Sequence, residues 1–150
     1  MSPRDTEAVV KRQEQMGTLR PLHEIGVVLS DVGEDMRGLD VRDISGEKIG
    51  TVDELLVDDQ EKQIRLLVVG MQGSPGLENV QVLIPVDTVV RITRADVYIR
   101  RTRRHVAGAP PYDSRILDQQ YLEAVYAYYG YYPYWAPRYS FPSFPAFPNE

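Results

Sequence analysis

The chain has 150 residues, a net charge of −5 and no cysteine, which excludes disulfides, thiolate metal sites and cysteine nucleophiles. This length supports one domain with extensions, and its two histidines, His23 and His105, are too few and too far apart for a histidine-based metal site or catalytic triad. No apolar run approaches the roughly 18 residues of a membrane helix and residues 1–20 are too charged for a signal peptide, so the chain is expected to be soluble by itself and cytosolic.

In chain order, Met1 to Met16 is polar and reads as a short helix or a loose arm. Thr18 to Val32 reads as an extended lead-in, with Pro21 opposing helix there. The core begins at Arg37, where Leu39, Val41 and Ile44 suit a strand and Ser45-Gly46 a turn. Ile49 to Val57 is the next strand, and Gly50 within it marks a bend or a close approach of a second backbone. Asp58 to Gln63 is a charged turn. Ile64 to Met71 is apolar with little alternation, the pattern of a strand buried on both faces. Gln72 to Asn79, with Gly73, Pro75 and Gly76, is a loop, and Val80 to Val86 returns as a strand. Asp87 to Val90 suits one helical turn, and Arg91 to Ile99 a hairpin around Ala95-Asp96. Short strands joined by tight turns predict a mainly β fold, a small barrel or sandwich.

Charge is unevenly distributed. Asp31 to Glu61 carries eleven acids and three bases, a net of −8, whereas Lys62 to Arg104 carries eight bases and three acids, a net of +5. Six arginines fall between Arg91 and Arg104. Arg100, Arg101, Arg103 and Arg104 suit phosphate in anionic lipid headgroups or RNA, or an acidic protein surface. A solvated strand face balanced by the acidic half is the plainer alternative. Only Tyr98 is interleaved with these arginines, so a base-stacking platform is not supported and nucleic acid is not favoured.

The end of the chain is different in kind. Of fourteen aromatic residues, twelve lie between Tyr121 and Phe147, and past Tyr126 the only charged side chains are Arg138 and Glu150. YLEAVYAYYG, from Tyr121 to Gly130, suits a short amphipathic helix. The uncharged rings of Tyr126, Tyr128, Tyr129, Tyr134 and Trp135, with Arg138, are expected to face a partner or a membrane–water boundary. A Pro/Tyr low-complexity tail without fixed structure is the alternative. Neither a phosphate loop nor metal-ligand spacing is visible, no metal or catalytic residue is assigned, and a non-enzymatic role is expected.

The core segments resemble a known family. Gly38-Leu39-Asp40-Val41, Asp43 to Val52, Leu56-Val57-Asp58, Ile64 to Val69 and Leu83-Ile84-Pro85 are similar to the PRC-barrel, a domain shared by the H subunit of bacterial photosynthetic reaction centres, ribosome-maturation factors and small stand-alone proteins. Resemblance and pattern together imply a small PRC-type β-barrel over residues 37–104. An N-terminal arm and lead-in would occupy 1–36, and a short C-terminal helix with an aromatic, Pro-rich tail 105–150. Val106 to Pro110, Ser114 to Gln120, Leu122 to Gly130 and Tyr134 to Arg138 further resemble the end of the H subunit, and Leu19-Arg20-Pro21-Leu22 its lead-in.

The likeness does not extend to the membrane helix and long polar linker of H subunits. Leu56 stands where a tryptophan is usual, the acids after the helix start are thinned to Glu123, and His23 does not replace a histidine pair that precedes the lead-in in some H subunits. What the resemblance implies is a non-catalytic component that caps the cytoplasmic face of a reaction centre, peripheral to the inner or photosynthetic membrane. Its partners would be L/M-type membrane subunits, a separate anchoring H-type chain and antenna subunits. It would bind no cofactor itself, bacteriochlorophyll and quinone being held by those partners. Asp58 and Glu61, with Asp53, would be proton-uptake groups toward the secondary quinone, since clustered carboxylates raise one another's proton affinity. A stand-alone interaction module serving ribosome maturation, stress or cell division is the alternative.

Overall fold

The computed structural model describes residues 18–25, 35–73 and 75–139. The stretches read as the N-terminal arm to Met16 and the Phe-Pro end from Phe141 lie outside them. Among the described residues seven strands form one sheet: β1 (Leu19–Pro21), β2 (Asp40–Asp43), β3 (Lys48–Asp58), β4 (Gln63–Gly70), β5 (Gln81–Pro85), β6 (Val89–Ile92) and β7 (Asp96–Ile99). Three α-helices accompany them among the described residues: α1 (Leu22–Ile25), α2 (Arg103–Ala107) and α3 (Gln119–Tyr129).

The order across the sheet is β5-β4-β3-β2-β7-β6, all neighbours antiparallel except β2 with β7. β5 and β6 lie at opposite ends of this order, yet only the 3-10 turn Val86–Thr88 joins them. So short a connection requires the sheet to curl until its ends meet, and the result is a small barrel. β3 is the spine. One edge pairs with β4 along its length, and the other pairs with β2 near its start and with β1 at its end. Register shifts after Val52 and Leu56 bend this long strand around the barrel.

The apolar run from Ile64 is buried at every position through Gly70, as a strand covered on both faces requires. A Cβ on Gly50 would run into the Gly70 carbonyl, and one on Gly70 would meet the Asp53 carboxylate, so both glycines permit a close strand approach. Two expectations are corrected. Pro21 ends β1, and one helical turn begins directly after it, because a proline ahead of a helix removes no intrahelical hydrogen bond. Ile44 lies in the β2–β3 turn at 71% exposure, with no core role.

α3 follows from its own sequence. Asp118 caps it by accepting from the Tyr121 amide, and Gly130 ends it at φ 84°, its N–H donating to the Tyr126 and Ala127 carbonyls. Leu122, Val125, Tyr126 and Tyr129 form a one-sided helical stripe, and all four are buried in the same core cluster as the barrel strands. At about 25 cal/mol per Å² of apolar surface, each fully buried side chain of this size contributes on the order of 2 kcal/mol.

Candidate interaction surface

The acidic turn between β3 and β4 is built around Asp58. Its Oδ1 accepts from the Gln60 amide at 2.9 Å and from the Glu61 amide at 3.4 Å, while the Asp58 carbonyl accepts from Lys62 at 2.7 Å. Lys62 takes φ 56° to close the turn and reaches back to Asp59 at 2.7 Å. Asp58 Oδ2 meets Arg65 Nη2 at 3.3 Å, both side chains being buried. Of the three acids read as proton-uptake groups, Asp58 is therefore occupied by its turn and by Arg65. Glu61 and Asp53 are exposed, and Asp53 accepts from the Gln81 side-chain amide at 2.8 Å.

Arg65 is the hub of the molecule's polar interior. After Gly130 the chain folds back, and the Tyr134 and Tyr139 rings lie 4.7 and 5.7 Å from the guanidinium carbon. Trp135 stands edge-on to Tyr126 and Tyr134, with centroids 6.1 and 5.0 Å away. Tyr126, Tyr129 and Tyr134 thus lie within the chain's own core, at 0%, 1% and 8% exposure, instead of on an outer face. Tyr128 is half-buried, donating to the His105 carbonyl at 2.6 Å and stacking on that imidazole at 4.4 Å. Trp135 is half-buried, while Tyr132 and Arg138 are exposed. Burial holds the phenols of Tyr126, Tyr129, Tyr134 and Tyr139 well above the usual tyrosine range.

Asp87, in the turn between β5 and β6, completes this interior and was not singled out in the sequence. Its carboxyl is pushed up by burial, opposed by the Tyr139 hydroxyl and by Arg65. Nevertheless Asp87 Oδ1 and the Tyr126 and Tyr139 hydroxyls are buried without a hydrogen bond of normal geometry.

The arginines separate by role. Arg101 donates to the Tyr129 carbonyl and lies over the Tyr131 ring at 5.1 Å, capping the C-terminal end of α3. Arg103 donates to the Gly73 carbonyl at 3.1 Å and approaches Glu47 at 3.8 Å. Arg100 and Arg104 are exposed. Arg104 lines a shallow groove of about 340 Å³ with Glu47, Pro75, Leu77, Arg103 and Ala107. His23 of α1 contacts Glu54 of β3, and Arg37 comes within 3.9 Å of the same carboxylate, fastening the lead-in.

Among the described residues no three or more His, Asp or Glu side chains gather as a metal site, and no helix is long and apolar enough to cross a membrane. In a family comparison residues 33–106 match the PRC-barrel domain, consistent with the curled, mainly β sheet. Residues 33–106 are a PRC-barrel domain. The matched span runs from just before β2 into α2, so α3 and the segment after it are additions packed onto the PRC-barrel. None of the curated proteins compared with the chain matches it.

Proposed function

We propose that this chain is a non-catalytic interaction module that acts as the cytoplasmic domain of a reaction-centre H subunit acts, as a peripheral cap on membrane subunits. The observation that carries the reading is that α3 and the aromatic segment after it share one core with the barrel. The two halves that separately resemble the H subunit, barrel and tail, are thus parts of one folded unit. Contact with L/M-type subunits, a separate anchoring chain, antenna subunits or anionic headgroups falls to the outward groups: Arg100, Arg104, Tyr132 and Arg138. Bacteriochlorophyll and quinone would stay in those partners, whose cofactors carry the charge-separation chemistry. Any exchange of protons with solvent would fall to Glu61 and Asp53, since Asp58 is held by its turn and by Arg65.

The test is co-purification. Tagged full-length chain recovered from detergent-solubilised membranes of its source cell should carry bacteriochlorophyll absorbance with membrane subunits in fixed ratio. Recovery with ribosomal particles or soluble proteins and no pigment would replace this reading with the stand-alone module.

A further inference from the structure

The segment after α3 is attached differently from the rest of the core. Residues 131–139 make two short turns, donating Ala136 N–H to the Pro133 carbonyl and Tyr139 N–H to that of Ala136, and they add no strand to the sheet. Their hold on the barrel is through rings. Tyr134 and Tyr139 cover Arg65, and Trp135 closes against Tyr126. Beneath those rings lies the part of the interior where polar atoms are least well satisfied, with Asp87 Oδ1 and the Tyr126 and Tyr139 hydroxyls all lacking a well-formed bond. A buried polar group in that state weakens the cover that buries it.

We propose that residues 131–139 form a releasable strap, docked on the PRC-barrel most firmly when the Asp87 carboxyl carries a proton. The groups facing Asp87 are Arg65 from β4, Tyr126 from α3 and Tyr139 from the strap, with Asp58 of β3 beyond Arg65 and against Tyr134. The Tyr139 hydroxyl and Arg65 favour the ionised carboxylate, but burial outweighs both, and Asp58 already engages that guanidinium at 3.3 Å. A neutral carboxyl costs less to bury and gains a donor for the neighbouring phenol oxygens, which the carboxylate lacks. The sign follows: an acid whose proton is held more tightly in the docked state favours docking as pH falls through its raised value. Release would bare Arg65, Trp135 and the Tyr126 edge of α3 to a partner while the barrel stays folded.

The chain carries one tryptophan, Trp135, and it lies in the strap, so its fluorescence reports docking directly. Acrylamide quenching of Trp135 is measured on the full chain between about pH 8 and about pH 4, with far-UV circular dichroism following the barrel, across the range in which a raised carboxyl titrates. Quenching should fall with pH while the dichroism holds. The docking constant should rise about tenfold for each pH unit between the raised value and the ordinary aspartate range. Asp87→Asn should show the low-quenching state throughout and flatten the profile. Quenching of the unaltered protein that is independent of pH, or that grows as pH falls, overturns the proposal whatever the variant does. So does an Asp87→Asn protein that is folded but more readily quenched.

Discussion

Asp58 and Arg65 meet at 3.3 Å inside the protein, one closing the β3–β4 turn and the other standing under Tyr134. This contact ties the hairpin to the C-terminal segment, because each ring over Arg65 depends on the guanidinium being held in place. Removing one member of a buried pair leaves the other charge uncompensated, at a typical cost of about 3–5 kcal/mol. Asp58→Ala is expected at the upper end of that range, since two turn amides lose their acceptor as well. Chemical denaturation measures the loss. A change below about 1 kcal/mol, the range of an exposed pair, would show that Asp58 is a solvated turn acid.

Tyr126 gives the opposite expectation for so deeply buried a residue. Its ring is fully covered, but its hydroxyl has no hydrogen-bond partner of normal geometry. Tyr126→Phe keeps the packing and removes the unsatisfied group, so stability should be unchanged or rise by up to about 1 kcal/mol. Tyr126→Ala should cost about 3–5 kcal/mol through the cavity it leaves. Thermal unfolding of the two variants checks both signs, and a Phe variant as damaging as the Ala variant would mean that the hydroxyl is satisfied in solution.

Much of this fold was legible in the residues. Gly50 announced a bend or a close backbone approach, the apolar run from Ile64 a doubly covered strand, and Tyr121 to Gly130 a short amphipathic helix, whose buried face the spacing of Leu122, Val125, Tyr126 and Tyr129 supplies. That same spacing contained the core role of Tyr126 and Tyr129, but the number of uncharged rings pointed outward to a partner. Asp58 looked like its acidic neighbours because its partner is seven residues away across a hairpin. The available signal was Arg65 itself, an arginine inside an apolar strand, which must find a counter-charge to be buried. Asp87 had no signal of this kind, since what surrounds it comes from β4, α3 and the strap together. Arg100 and Arg101 are adjacent and chemically identical, and only the position of the α3 terminus separates them.

That separation yields a third prediction. Arg101→Ala removes the cation at the end of α3 and should cost about 0.5–1 kcal/mol of stability, read by denaturation. The Arg100→Glu, Arg104→Glu double variant should stay within about 0.5 kcal/mol of the unaltered protein, as exposed substitutions do. The same double variant should lose association with membranes or membrane subunits most strongly at low ionic strength, where such contacts are least screened. If it associates normally at low salt, these arginines are not a docking surface.

The buried phenols set a limit on the alkaline side. Burial raises Tyr121 to about 12, and Tyr126, Tyr129, Tyr134 and Tyr139 are all held above their ordinary value. Above about pH 10 an unfolded chain releases these protons while the folded chain keeps them, so the unfolded state binds fewer protons and stability falls as pH rises. Below about pH 10 both states hold the protons, and these groups add no pH dependence. The expected profile is flat from neutral pH to about 10 and steep beyond, with loss of Trp135 burial accompanying loss of secondary structure. Replacing Tyr126 and Tyr129 together by Phe removes two of the titrating phenols and should make the alkaline limb shallower without moving its onset. An unfolding midpoint that is unchanged well above pH 10, or a Phe pair that leaves the slope intact, would show that these hydroxyls reach solvent in the folded protein.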